Sequence, residues 1–123
     1  PVRLNFIRAS SYGQGTTSSG EVKIEGHLPR IRGQNVLIVE DIVDTGLTLS
    51  RLQTYLRRER GAASVRIGVL LNKPDRRLPE LRKRLKVDYI GFNIPDLFVV
   101  GLGLDCAEQF RELPFVAVVK SSS

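Results

Sequence analysis

Residues 36–39, Val-Leu-Ile-Val, form an unbroken apolar run that stops abruptly at Glu40-Asp41. A run of this length without alternation is the signature of a strand buried on both faces of a parallel sheet. Leu49, Leu52 and Leu56 follow at helical spacing, and Gly61 is placed to cap the end, which predicts a helix over 47–60. A second apolar run, VRIGVLL over 65–71, completes a strand–helix–strand unit. Two strands joined through a helix pair in parallel, so the expected fold is α/β, a parallel sheet flanked by helices.

The rest of the chain supplies shorter elements. Strands are expected over 2–8, with Leu4 and Phe6 on one face, and over 21–25, 87–92, 98–104 and 115–119. A short basic helix is expected over 78–85, and a surface loop over 10–20, where SSYGQGTTSSG holds Tyr12 as its one large residue. With 123 residues the chain has room for one domain, taken as 1–120, with Ser121-Ser122-Ser123 as a tail. No apolar run approaches the roughly 20 residues that span a bilayer, so no membrane partner is expected. Cys106 and His27 are each the sole residue of their kind, which excludes an internal disulfide and cysteine or histidine metal clusters within the sequence. A reducing, cytoplasmic setting is the expectation. The formal net charge of +6 points to an anionic partner. Its arginines and lysines crowd into RLQTYLRRERG and KPDRRLPELRKRLK. Apart from Tyr55 no aromatic interleaves with them, so they read as solvated helix faces, and nucleic acid is not an expected partner.

In a parallel α/β sheet, ligands bind beyond the carboxyl ends of the strands, beside the starts of the following helices. The segment EDIVDTGLT lies at that position. Gly46 allows a tight turn, and Thr45, Thr48 and the helix-start amides make a cradle suited to phosphate. Glu40, Asp41 and Asp44 would repel a phosphate if they faced it, so they suit other parts of one ligand: sugar hydroxyls, a metal or a proton. A sugar phosphate satisfies both halves. The plainer alternative makes Asp44 and Thr45 helix caps and the Glu40-Asp41 pair a solvated strand end. The Gly-Lys-Ser/Thr loop of nucleoside triphosphatases is absent.

These residues also carry a family resemblance. VLIVEDIVDTGLTL resembles the phosphoribosyl-pyrophosphate motif of purine phosphoribosyltransferases of the type I fold. The likeness to the hypoxanthine-guanine branch extends along the chain: FIRASSYGQGTTSSGEVKI resembles its mobile active-site loop, LLNKPDRR its purine-recognition segment, and VDYIGFNIPDLFVVGLGLD its base-stacking and metal segment. The resemblance implies transfer of a 5-phosphoribosyl group from phosphoribosyl pyrophosphate to a 6-oxopurine, giving IMP or GMP in purine salvage. It implies Mg2+ as cofactor, a homo-oligomer, and C-terminal strands that form a hood over the base. Position by position, it implies Glu40 and Asp41 for the ribose hydroxyls and magnesium, and Asp44 as general base. Thr45, Gly46, Leu47 and Thr48 would hold the 5′-phosphate. Lys73 would donate to the purine 6-oxo group, Phe98 would stack on the base, and Val99 would contact it through its backbone. Asp105 would bind a second magnesium and Arg111 would reach pyrophosphate. Ser11 and Tyr12 would belong to the closing loop.

Two departures accompany the resemblance. Family members carry a helical segment, a strand and a Leu-Lys-Gly-type pyrophosphate loop before the part matching 2–8, and the sequence from Pro1 onward holds none of these. The strand over 36–39 is therefore expected to present an edge that either self-associates or is covered by another segment of the chain. Asn72 stands where an acid is common. Considered without the resemblance, Lys73 could be a surface lysine, Phe98 core, Tyr12 a loop anchor and Cys106 a residue without a role. A second function class stays open as well: a non-catalytic regulator that senses a sugar phosphate and binds RNA or DNA. Salt titration of RNA binding beside a purine-turnover assay separates the two classes.

Overall fold

The computed structural model describes residues 2–13, 21–101, 104, 111 and 116–118. In chain order the elements are β1 (Arg8–Tyr12), β2 (Glu21–Glu25), β3 (Asn35–Val43), α1 (Leu47–Arg58), β4 (Ser64–Asn72), β5 (Tyr89–Asn93), β6 (Val99–Val100) and β7 (Ala117–Val118). The two apolar runs pair as expected. β3 and β4 are parallel in the register Ile38 to Ile67, and β5 adds in parallel on the other side of β4. The sheet order is β3-β4-β5.

The leucine stripe of α1 explains how the helix seats on this sheet. Leu49 joins Val43, Ile67, Val69, Leu81 and Leu85, while Leu52 and Leu56 join Ile31, Ala62 and Val65. Each such fully buried side chain contributes about 1.5–3 kcal/mol. Gly61, at φ 72°, ends the run, and Ala62 N–H donates to the Leu56 carbonyl at 3.0 Å. The antiparallel hairpin β1–β2 brings Ala9, Val22 and Ile24 against the Leu52–Leu56 cluster. A smaller cluster of Leu71, Val99 and Leu104 anchors the antiparallel pair β6–β7 to the carboxyl end of β4.

Four expectations are corrected. Residues 2–7 are not a strand, and Leu4 and Phe6 are exposed, because pairing with β2 begins only at Arg8. The strand therefore runs into Ser10–Ser11–Tyr12, which the sequence assigned to the loop. Residues 78–85 hold no α-helix: Pro79 forces Leu78 into an extended conformation (φ −58°, ψ 137°), and only a 3-10 turn, Pro79–Leu81, follows. Leu81 and Leu85 nevertheless enter the core. Among the described residues the sheet is covered on one face only. Val36 and Ile38 pack beneath α1, whereas Leu37 and Val39 on the opposite face are exposed. Among the described residues no segment pairs with the free side of β3, so the expected edge is present and uncovered. The proposed tail, 121–123, lies outside the described residues.

Candidate active site

β3 delivers Glu40 and Asp41 to its carboxyl end, both exposed. Their carboxylates fold back locally: Asp41 N–H donates to Glu40 Oε1 at 3.3 Å, and Ile42 N–H to Asp41 Oδ1 at 2.7 Å. Desolvation is the largest influence on Glu40, followed by the hydrogen bond and the charge of Asp41, and together they push its carboxyl up to about 7. Two crowded carboxylates that resist simultaneous ionisation suit a hard divalent cation, which needs only one or two protein carboxylates when substrate oxygens complete its shell.

Three residues past the end of β3 at Val43 the chain turns at Gly46, which is the N-cap of α1 at φ 82°. A Cβ there would lie 2.6 Å from Leu85 Cδ2 and 3.0 Å from Arg77 Cδ, so only glycine fits. α1 begins without a side-chain cap and without an acid in its first turn. Its positive dipole end faces no acid in the first turn, a favourable place for an anion. Thr45 Oγ1 accepts from Leu47 N–H at 3.4 Å, and Thr48 Oγ1 donates to Ser11 Oγ at 3.2 Å. The cradle and the start of the 10–20 segment therefore meet. Asp44 is exposed and is not a helix cap, which removes the plainer reading of that residue.

Lys73 is the least surface-like of the lysines described. It is 6% exposed, and its Nζ lies 3.6 Å from Asp44 Oδ1 and 3.9 Å from Asp96 Oδ1. Its backbone N–H donates to the Val43 carbonyl at 3.0 Å, and Leu78 N–H donates to the Thr45 carbonyl at 3.1 Å. Two main-chain bonds thus dock the 73–78 segment onto the cradle turn. Phe98 is 56% exposed and cannot be core, while the next residue, Val99, is buried and paired with Val118. Arg111 is exposed, and Asp105 and Cys106 lie outside the described residues.

Three residues escaped the sequence reading. Arg51 is 1% exposed, and its Nη1 donates to the Tyr12 carbonyl at 2.8 Å and the Glu21 carbonyl at 3.2 Å. It ties the two ends of the β1–β2 connection to the helix of the cradle. Tyr12 also donates through its hydroxyl to the Glu21 carboxylate, a bond that holds the phenol above its ordinary value. Arg77 is buried beneath the Gly46 turn, and the Asp96 carboxylate forms ion pairs with Lys73 and Arg76, each at 3.9 Å. Arg51 and Arg77 sit in arginine-rich runs, where nothing in the sequence separates a buried guanidinium from its solvated neighbours.

A phosphate-ready helix start after the first parallel strand, acids at that strand's end and a buried lysine at the end of the next strand define a type I phosphoribosyltransferase fold. The family model described as phosphoribosyl transferase domain matches residues 1–107, and the chain belongs to that family. It is 48% identical over 97% of its length to the hypoxanthine-guanine phosphoribosyltransferase of Bacillus subtilis, and 49% identical over 97% to that of Lactococcus lactis. It spans less than two thirds of these curated relatives, 64% and 62% of their lengths. Among solved structures, a Staphylococcus aureus hypoxanthine phosphoribosyltransferase superposes with a TM-score of 0.76 at 44% identity, over 94% of this chain and 61% of that one. A Trypanosoma cruzi hypoxanthine phosphoribosyltransferase in a ternary complex with substrates gives 0.78 at 45% identity, over 98% of this chain and 62% of that one.

Proposed function

We propose that the protein to which this chain belongs transfers the 5-phosphoribosyl group of phosphoribosyl pyrophosphate to a 6-oxopurine, hypoxanthine or guanine. The observation that carries this reading is the buried Lys73 ammonium held against Asp44, together with a phosphate-ready helix start and an exposed Phe98. A lysine can only donate, so it favours a 6-oxo over a 6-amino purine. Phe98 offers a face on which the base stacks, and the helix start with Thr45, Gly46, Leu47 and Thr48 takes the 5′-phosphate. A new bond forms from the imidazole nitrogen of the purine to the sugar C1, while the C1–oxygen bond breaks and its electron pair leaves with pyrophosphate. Asp44 accepts the proton released from that nitrogen. Glu40 and Asp41 orient the ribose hydroxyls and would hold magnesium, which when bound supplies charge neutralisation for the leaving group. Arg111 pairs with pyrophosphate, Asp105 belongs to a second metal position, and Ser11 and Tyr12 help exclude water from the cationic sugar. The assembled enzyme is a cytoplasmic homo-oligomer in this reading.

The test is turnover of hypoxanthine, guanine and adenine with phosphoribosyl pyrophosphate and magnesium, by the 123-residue chain and by a longer protein containing it. Faster turnover of adenine than of both 6-oxopurines overturns the assignment.

A further inference from the structure

The Lys73 ammonium is paired with two carboxylates: its Nζ lies 3.6 Å from Asp44 Oδ1 and 3.9 Å from Asp96 Oδ1. The two acids are nearly equally exposed, 49% and 56% at the side chain. Similar distance and similar solvent screening bring their pulls on the ammonium close to balance. Neither separation is short enough for a hydrogen bond, so neither acid takes one of the three lysine donors. Asp96 is itself held in place. Its Oδ1 also pairs with Arg76 Nε at 3.9 Å, and Arg76 stands on the same turn as Lys73, its backbone N–H donating to the Lys73 carbonyl at 3.0 Å. The segment that carries Asp96 begins where Ile94 N–H donates to the Asn72 carbonyl at 2.8 Å, and it continues through Phe98 to the buried Val99. Asp96 therefore joins the turn that bears the lysine to the segment that bears the exposed aromatic.

We infer that Asp96 is a positioning residue for base recognition: by sharing the ammonium with Asp44, it keeps Lys73 from closing onto Asp44 and leaves the lysine donors for the 6-oxo group of the purine. This rests on the proposed 6-oxopurine reading of Lys73 and adds a residue to it. With Asp96 neutral, Asp44 alone would draw the ammonium in, to a charge-assisted hydrogen bond of roughly 2.8 Å. One donor would then be spent inside the protein, and a 6-oxo group would have to compete for it. The 5′-phosphate cradle at the start of α1 takes no part in this exchange. Asp96 acts through Lys73 and not on the reacting atoms.

Titration calorimetry of the 123-residue chain with inosine 5′-monophosphate, adenosine 5′-monophosphate and ribose 5-phosphate reads the effect, with thermal unfolding of the free protein run alongside. The two nucleotides differ at C6, oxo against amino, and the third ligand has no base. Wild type is expected to prefer the inosine nucleotide by about tenfold or more, the scale of one charge-assisted hydrogen bond. Asp96→Asn keeps the shape and removes the charge. It is expected to bring the two nucleotides to within about threefold of each other, with ribose 5-phosphate affinity and the unfolding temperature little changed. Asp75→Asn removes an exposed acid of the same turn that lies outside the ion-pair network, and should retain the full preference. An unchanged preference in Asp96→Asn overturns the role of Asp96 and leaves Lys73 standing. Equal weakening of all three ligands, or the same loss of preference in Asp75→Asn, would show a structural or general charge effect and overturns it as well. Wild-type binding of ribose 5-phosphate without preference between the nucleotides overturns the 6-oxopurine reading of Lys73, and the inference with it.

Discussion

Lys73 Nζ lies 3.6 Å from Asp44 Oδ1, joining a lysine side chain that is 8% exposed to an aspartate that is 49% exposed. The cation is buried and the carboxylate is half exposed. In the proposed reaction a purine takes a donor from Lys73 and gives a proton to Asp44. Asp44→Asn keeps the shape and removes the proposed base, so single-turnover rates should fall by about 10²-fold or more, with purine and sugar-phosphate affinity much less affected. Near-normal single-turnover rates would reduce Asp44 to a partner of Lys73.

Glu40 gives the site a pH signature. Its carboxyl is raised from its ordinary 4.5 to about 7, first by desolvation and then by the hydrogen bond and charge of Asp41. The folded state therefore holds a proton that the unfolded chain has already released between these values. The corresponding stability is fully present below about 4.5 and is lost as pH rises through about 7. Glu40 is exposed, so water screens part of the effect and its size is small. Glu40→Gln should be at least as stable as wild type at pH 8, and its relative advantage should shrink toward pH 4. Urea midpoints across that range check this, and a wild-type–variant difference independent of pH would contradict it.

Gly46 and Gly61 share a left-handed conformation but differ in what surrounds them. At Gly46 a Cβ meets Leu85 at 2.6 Å and Arg77 at 3.0 Å, and at Gly61 it meets Arg32 at 3.2 Å. Each Gly→Ala should cost about 1–3 kcal/mol from the positive φ and crowding. Only Gly46→Ala should also abolish ribose 5-phosphate binding, since it displaces the turn that aims the helix-start amides. Loss of binding in Gly61→Ala to the same degree would show that general destabilisation was being measured.

The sheet and the cradle were legible because their signals are local. The apolar runs of β3 and β4, the leucine stripe of α1 and Gly46 each fix backbone geometry within a few residues. The misread parts depend on partners distant in sequence. Leu4 and Phe6 alternate like a strand but pair with no segment among the described residues, and Leu78, Leu81 and Leu85 are spaced like a helix although only the 3-10 turn Pro79–Leu81 forms. Lys73 and Phe98 became candidate site residues through resemblance; their burial and exposure separate them from a surface lysine and a core aromatic.

Arg51 was read as one more solvated arginine, and its correction yields a test. Its guanidinium is held 2.8 Å from the Tyr12 carbonyl and 3.2 Å from the Glu21 carbonyl, so truncation releases both ends of the β1–β2 connection. Arg51→Met, which keeps much of the aliphatic packing, should destabilise the fold by about 2–3 kcal/mol. Amide exchange should quicken most in β1 and β2, with β4 little changed. Uniform loss of protection across the molecule would argue that Arg51 supports the core as a whole and not the hairpin.

β3 carries the remaining prediction. Among the described residues it is hydrogen-bonded to β4 on one side only, and its outward residues Leu37 and Val39 are 53% and 75% exposed. Leu70 and Tyr89 extend the same open face across β4 and β5. An unpaired apolar edge beside an uncovered apolar face is a template for another strand. The 123-residue chain by itself should therefore self-associate, and sedimentation velocity should show the associated species growing with concentration. Val39→Lys places a charge on the open face without touching the α1 side, and should weaken association by about tenfold or more while leaving the α1–sheet core folded. Self-association unaffected by Val39→Lys would move the contact elsewhere. A wild-type chain that stays monomeric at every concentration would show that this edge is protected in solution by a segment of the chain itself.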